Sequence, residues 1–177
     1  SAASDVYKRQ SVPIIKEIIR AYRIPILEVA GYEADDVIGT LATEAGRQGI
    51  ITYMMTPDKD YGQLVSDKVF MYRPKHTGGF EVMGVDEVKA KFDIQSPAQV
   101  IDMLGLMGDS SDNIPGCPGV GEKTAQKLIA EFGSIENLLE HTDQLKGALK
   151  TKVETNREMI TFSKFLATIK IDVPIPV

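Results

Sequence analysis

The sequence predicts an α/β fold, with a layer of alternating strands and helices first and an attached helical subdomain after it. Two observations carry that prediction. Through the first half, short apolar runs of strand length alternate with apolar residues at helical spacing. From Val85 onward the spacing is helical only, the pattern of an α/β layer with helices appended.

Ile14, Ile15, Ile18, Ile19 and Tyr22 recur on one helical face, and Pro25 closes that first helix. Residues 26–30 are short and apolar and predict a strand. Val37, Ile38, Leu41, Ala42 and Ala45 predict a second helix that ends between Gly46 and Gly49. Residues 50–55 have the length of a buried strand, and residues 69–72 predict another. A turn over 75–79 precedes a further strand at 80–83. Helices follow over 85–92, 97–107, 123–132, 135–141 and 145–165. No repeat or low-complexity segment interrupts them.

A chain of 177 residues is long enough for one good core, or for one domain with a small appendage. Its 43% hydrophobic and 25% charged residues are ordinary globular values. The single Cys117 excludes an intramolecular disulfide and fits a reducing compartment. No apolar run approaches the roughly 18 residues needed to cross a bilayer, and there is no signal-peptide pattern. Membrane is therefore not an expected partner. The net charge of −5 taken alone argues against nucleic acid.

Carboxylates fall at element junctions. GYEADDVIG puts Glu33, Asp35 and Asp36 between the first predicted strand and its helix, and TPDKDYG puts Asp58 and Asp60 directly after the second. If those strands are parallel, both clusters emerge at the carboxyl edge of the sheet, where open α/β sheets bind ligands. GDSSDN adds Asp109 and Asp112 from the helical part. Seven converging carboxylates repel one another unless cations sit among them. Oxygen-only donors select hard divalent ions, Mg²⁺ or Mn²⁺, and the lack of His or Cys among them disfavours zinc. Each cluster also has a plainer reading. Glu33 to Asp36 would suit a helix start, DKD a solvated turn, and GDSSDN turn chemistry. DKDYG fails as an EF-hand, because Gly62 is fifth from Asp58 where position six is required.

GCPGVGEKT nearly matches a nucleotide-binding P-loop, but Glu122 separates Gly121 from Lys123 and breaks it. The loop instead joins two predicted helices. A helix–hairpin–helix of that kind offers backbone N–H groups at Gly119, Gly121 and the helix start to a phosphate, with Val120 between them and Lys123, Thr124 and Lys127 adding contacts. Such contacts hold DNA without reading its sequence. The same loop also reads as a tight interhelical turn that uses glycine for positive φ. Setting the seven site carboxylates aside leaves 18 acidic against 20 basic residues, so the charge argument against nucleic acid weakens.

GYEADDVIGTLA, TPDKDYGQLVSD and MGDSSDNIPGCPGVGEKTAQKLI together resemble the 5'→3' exonuclease domain family of bacterial DNA polymerase I, relatives of the flap endonucleases. The resemblance runs from Ser11 to Val177. It implies a PIN-like α/β nuclease core over residues 11–95 and a helical subdomain with a helix–three-turn–helix over 96–177. It further implies cleavage of phosphodiesters near 5' ends, in primer removal and repair, by two Mg²⁺ (or Mn²⁺) that activate a water and stabilise the leaving oxygen. The residues matching Glu33, Asp35, Asp36, Asp58, Asp60, Asp109 and Asp112 hold those metals in the family. Those matching Gly119 to Thr124 grip duplex phosphate, often with a K⁺ ion. The implied partners are 5' flaps, nicked duplexes, RNA–DNA primer junctions and polymerase domains of a parent chain, with a monomer in the bacterial cytoplasm at the nucleoid.

Two departures from the family are expected. Its first strand, with a further ligand Asp, and its basic helical arch would precede residue 11, where residues 1–10 read instead as a foreign or mis-joined leader. Without them, this chain is expected to cleave DNA poorly or not at all, while still binding Mn²⁺ and, weakly, duplex. A non-catalytic duplex-binding fragment using only the hairpin, and an ion-binding scaffold, are the competing expectations.

Overall fold

The computed structural model describes residues 2–176, with side chains from residue 5, so Ser1 of the expected leader and the terminal Val177 lie outside the described residues. Helix α1 (Ala2–Ala21) carries the expected leader and the first predicted helix in one run, with Pro13 interrupting its hydrogen-bond ladder. Helix α2 (Ala34–Arg47) buries Val37 and Ala42 and starts at Glu33.

Between them the expected strand over 26–30 is not formed. An apolar run becomes a strand only when a neighbour completes its ladder. Among the described residues this segment makes no ladder bond, only a turn from the Tyr32 N–H to the Val29 carbonyl. The first acidic cluster therefore follows irregular chain into a helix start, and does not follow a strand.

The sheet has three strands in the order β1 (Thr52–Met55), β2 (Val69–Pro74), β3 (Phe80–Met83). β1 and β2 are parallel, with Thr52 opposite Val69, as the alternation predicts. The 13-residue connection between them satisfies the length a parallel crossover needs, and it contains a 3₁₀ helix, Lys59–Leu64. β3 returns antiparallel to β2 through the turn at 75–79, where Gly78 and Gly79 take positive φ. Met54, Val69, Met71 and Met83 point from the sheet into the same core that the helices share.

Helix α3 (Val85–Phe92) leads to α4 (Val100–Met107), the most buried element. Val100, Met103, Leu104 and Leu106 are fully covered. Helices α5 (Glu122–Phe132) and α6 (Ile135–Glu140) pack beside it. The single helix expected over 145–165 is two, α7 (Gly147–Thr155) and α8 (Arg157–Ala167). Asn156 stands between them, and its backbone N–H and side-chain amide both donate to the Lys152 carbonyl, at 3.1 and 2.8 Å.

α8 lies directly on α4 at Gly105. A Cβ there would stand 2.6 Å from Ile135 Cδ1 and 3.2 Å from the Lys164 Cα, so glycine sets how closely the two helices approach. Asp102, one turn earlier, is buried and accepts from Lys164 Nζ at 2.6 Å and from the Ile135 N–H at 2.9 Å. Gly105→Val is expected to lower unfolding free energy by roughly 1–3 kcal/mol through overpacking. The change should appear in urea denaturation as a lower midpoint at unchanged slope.

Candidate metal centre and glycine hairpin

β1 ends at Met55, and the chain turns through Thr56, whose hydroxyl accepts the Asp58 N–H at 3.1 Å. The Asp58 carboxylate in turn accepts the Asp60 N–H at 2.9 Å and caps the 3₁₀ helix. This winding turns Asp60 inward, where it is only 7% exposed. Asp112 arrives from the loop after α4. Gly108, with φ +73°, ends that helix, and Asp109 and Ile114 pair backbone to backbone to close a tight loop. Carboxylate oxygens of Asp58, Asp60 and Asp112 all lie within 4.8 Å of one another.

Burial, then the Asp58 charge, then Asp112 push the Asp60 carboxyl up to about 7. One Asp60 oxygen is buried with no hydrogen-bond partner among the described residues. An orphaned carboxylate oxygen among like charges is costly, and an oxygen-only donor set suits a hard divalent cation.

The remaining predicted acids take different places. Glu33 and Asp35 line a cavity of about 380 Å³ together with Asp60 and Asp112. The Glu33 side chain does not cap α2, although its backbone occupies the cap position. Asp36 accepts the Lys170 N–H at 2.9 Å. Asp109 has both oxygens engaged, one by the Ser111 N–H and hydroxyl, the other by Lys59 Nζ at 2.8 Å. Lys59 and Ser111 hold its carboxyl down at about 2. Tyr61 bears on the set as well, since burial and then the charges of Asp35 and Asp58 raise its phenol.

The hairpin follows without a break. Gly116 has φ +66°, and a Cβ there would stand 2.4 Å from the Gly108 nitrogen, so the start of the hairpin is pressed against the end of α4. Buried Ser163 of α8 accepts the Gly116 N–H at 2.9 Å. Gly119 has φ +78°, and its carbonyl lies 3.4 Å from Lys152 Nζ. Gly121 is the residue before α5, in extended conformation, and a Cβ on it would meet nothing within 4 Å. Among the described residues, the N–H groups of Gly119 and Gly121 donate to no backbone acceptor outside helices and strands. Lys123 and Lys127 are exposed and line a cavity of about 290 Å³ with Asp93 and Gln95. Thr124 is half-buried. Val120 is only 4% exposed and belongs to the core, and its N–H donates to the Cys117 carbonyl at 3.0 Å.

Sequence reasoning passed over three cations near the carboxylates, Lys59, Arg73 and Lys91. Lys59 had a signal, being the one basic residue between two aspartates of a cluster. Arg73 and Lys91 had none, since only the fold brings β2 and α3 to this place.

The description "5'-3' exonuclease, N-terminal resolvase-like domain" matches residues 5–93, and "5'-3' exonuclease, C-terminal SAM fold" matches residues 95–177. DNA polymerase I of Bacillus caldotenax is 44% identical over 168 residues, covering 94% of this chain and 19% of its own. DNA polymerase I of Bacillus subtilis is 47% identical over 170 residues, covering 95% and 19%. The chain thus spans about a fifth of the length of these curated relatives. Among solved structures, T5 5'-exonuclease with bound zinc superposes with a TM-score of 0.80 at 20% identity, covering 94% of this chain and 62% of that one. The catalytic core of Rad2 with a DNA substrate superposes with a TM-score of 0.58 at 15% identity, covering 100% and 64%. These likenesses establish the fold.

The raised Asp60 carboxyl has a stability consequence. A folded-state value of about 7 against the ordinary 3.8 means that the folded chain binds the extra proton between those limits. The stability tied to that proton is present at low pH and lost as pH rises through about 7. In metal-free buffer, the thermal midpoint of Asp60→Asn is expected to gain on that of the parent as pH rises across this window. Scanning calorimetry in EDTA at stepped pH measures the difference.

Proposed function

Because the chain belongs to the 5'-3' exonuclease family, we infer that it is a divalent-metal-dependent 5'→3' exonuclease and 5'-flap endonuclease domain acting on DNA. The observation that carries this reading is the buried Asp60, which has one orphaned oxygen and clusters with Asp58 and Asp112. A module that only bound duplex through its hairpin would have no use for that costly cluster, so the hairpin-only reading is not favoured.

Asp58, Asp60 and Asp112 are assigned to one ion. Glu33 and Asp35, on a cavity shared with Asp60 and Asp112, are assigned to a second. Asp109 and Asp36 stand at the margins of that set, one held by Lys59 and Ser111, the other by the Lys170 amide. Mg²⁺ is the expected ion, with Mn²⁺ able to replace it. Bound there, such ions supply a water of lowered pKa and stabilise charge on the leaving oxygen. The Gly119 and Gly121 amides and the Lys123 and Lys127 side chains hold duplex phosphates in register, and the hairpin carbonyls suit a K⁺ ion.

Residues 11–95 form the nuclease core and 96–177 the helical subdomain, a division supported by the family boundary between residues 93 and 95. As in its DNA polymerase I relatives, polymerase domains are the expected partners within a longer chain. The substrates are 5' flaps, nicked duplexes and RNA–DNA primer junctions in replication and repair. No helix among the described residues is long and apolar enough to cross a membrane. We assign the chain to the bacterial cytoplasm, at the nucleoid, as a monomer.

The test is single-turnover cleavage of a labelled 5'-flap duplex with excess protein. Product is expected with Mg²⁺ or Mn²⁺, none with EDTA, and none from Asp58→Asn combined with Asp112→Asn. Equal traces from parent and double variant in saturating metal would overturn the assignment. Mn²⁺ at millimolar concentration should also raise the thermal midpoint of the parent by binding the folded state, and the double variant should lose most of that rise.

Gly121→Val isolates the hairpin, because open space around that position lets the side chain fit without a clash. It is expected to weaken duplex affinity several-fold by blocking backbone approach, and to leave the Mn²⁺-induced thermal shift unchanged. Fluorescence anisotropy with a labelled duplex reads the first effect.

A further inference from the structure

A second cavity, of about 320 Å³, shares Asp112 with the metal-facing one but is lined by charges of both signs. Asp58, Asp109 and Asp112 supply the negative side, and Lys59, Arg73 and Lys91 the positive. The three cations come from three elements, the 3₁₀ helix, the end of β2 and the last turn of α3. Their convergence is a product of the fold alone.

Arg73 is the least satisfied of them. Opposite Glu81 in the sheet, its Nε lies 3.5 Å from that carboxylate, and one terminal nitrogen is 3.7 Å from the Met83 sulfur. The Nε makes no hydrogen bond among the described residues, although the side chain is only 16% exposed. A guanidinium has five donors in a fork that matches paired anionic oxygens, and here the protein answers them poorly. Lys91 is exposed and makes no ion pair among the described residues. Lys59 is turned toward Asp109.

We propose that Arg73 and Lys91, with Lys59 beside them, form a subsite for a backbone phosphate of a bound nucleic-acid strand, next to the carboxylate cluster and separate from the hairpin. The proposal rests on the nuclease reading, since an ion held by Asp58 and Asp112 relieves the repulsion those carboxylates exert on a phosphate. The geometry of α3 links the two phosphate-binding places. Lys91 lines this cavity, while Asp93, two residues on, lines the one with Lys123 and Lys127. A strand gripped at the hairpin passes the end of α3 on its way to the carboxylates, and the subsite holds it there.

The test is equilibrium binding of a labelled 5'-flap duplex across a KCl titration, with Ca²⁺ as the divalent ion and substrate integrity checked on a gel. The variants are Arg73→Gln, Lys91→Gln, Arg73→Lys and Lys123→Gln. Each lost phosphate contact is expected to reduce the slope of log affinity against log salt by about one. The Arg73→Gln and Lys91→Gln variants should therefore each lose about one, and Arg73→Lys should recover part of the loss through its charge. Lys91→Gln, at an exposed position, keeps the test valid if Arg73→Gln misfolds. Unchanged slopes at Arg73 and Lys91 with a reduced slope at Lys123→Gln overturn the subsite and leave the nuclease reading standing. Absence of duplex binding by the parent overturns both. A parallel titration with inorganic phosphate, followed by ³¹P line width, separates the sources. Loss of free-phosphate binding in Arg73→Gln with no change in duplex slope would make this a small-anion site and overturn the assignment to nucleic acid.

Discussion

The close approach of α8 to α4 at Gly105 is the constraint on which the rest of the arrangement depends. α4 is covered on nearly all sides, and its ends define where everything else stands. At the amino end, Asp102 binds Lys164 of α8 and the first amide of α6, so three helices share one buried charge. A pair of this kind adds little net stability compared with apolar packing, but breaking one partner leaves a buried charge unmatched. At the carboxyl end, Gly108 reverses the chain into Asp109 and Asp112, and Gly116 presses the hairpin back against it. The carboxylate loop and the hairpin are thus both fixed to one rigid helix. The proposed metal centre and the proposed phosphate grip are therefore anchored at the same end of one helix.

Against this rigid frame the acidic cluster is a deliberate weakness. Asp60 is buried beside Asp58 and Asp112, and its carboxyl is pushed up to about 7 because ionising it there is unfavourable. Functional sites are where a fold departs from the arrangement that stability alone would choose. Lys59 offsets part of the repulsion by pairing with Asp109, which stays ionised in consequence. The two aspartates of the neighbouring loops therefore respond oppositely to their surroundings, one resisting ionisation and the other favouring it.

Much of the secondary structure was legible in the sequence because it rests on short-range periodicity. The strand at Phe80–Met83 and the helix at Val85–Phe92 fall where the pattern puts them. Failures came where a long-range or competing interaction decides. Residues 26–30 have the composition of a strand but no ladder among the described residues, and the continuous helical pattern over 145–165 is divided at Asn156, whose N–H and side-chain amide both donate to the Lys152 carbonyl. The capping explanation of Glu33 was equally reasonable from sequence, and only coordinates show that its side chain makes no cap.

The sequence by itself determined which chemistry is available. Carboxylates at element junctions, with no His or Cys among them, and a glycine loop opening onto a helix with lysines are properties of residue type and spacing. The tertiary structure alone decided which of those groups meet. Asp58 and Asp60 are brought to Asp112 across more than fifty residues of chain, while Asp36 and Asp109 are taken up by Lys170 and Lys59. Arg73 and Lys91 joined the site with no sequence signal at all. The physical reason is the range of the forces involved. Periodicity and capping act within a few residues, but the distance between two side chains on different elements is set by how whole helices and strands pack.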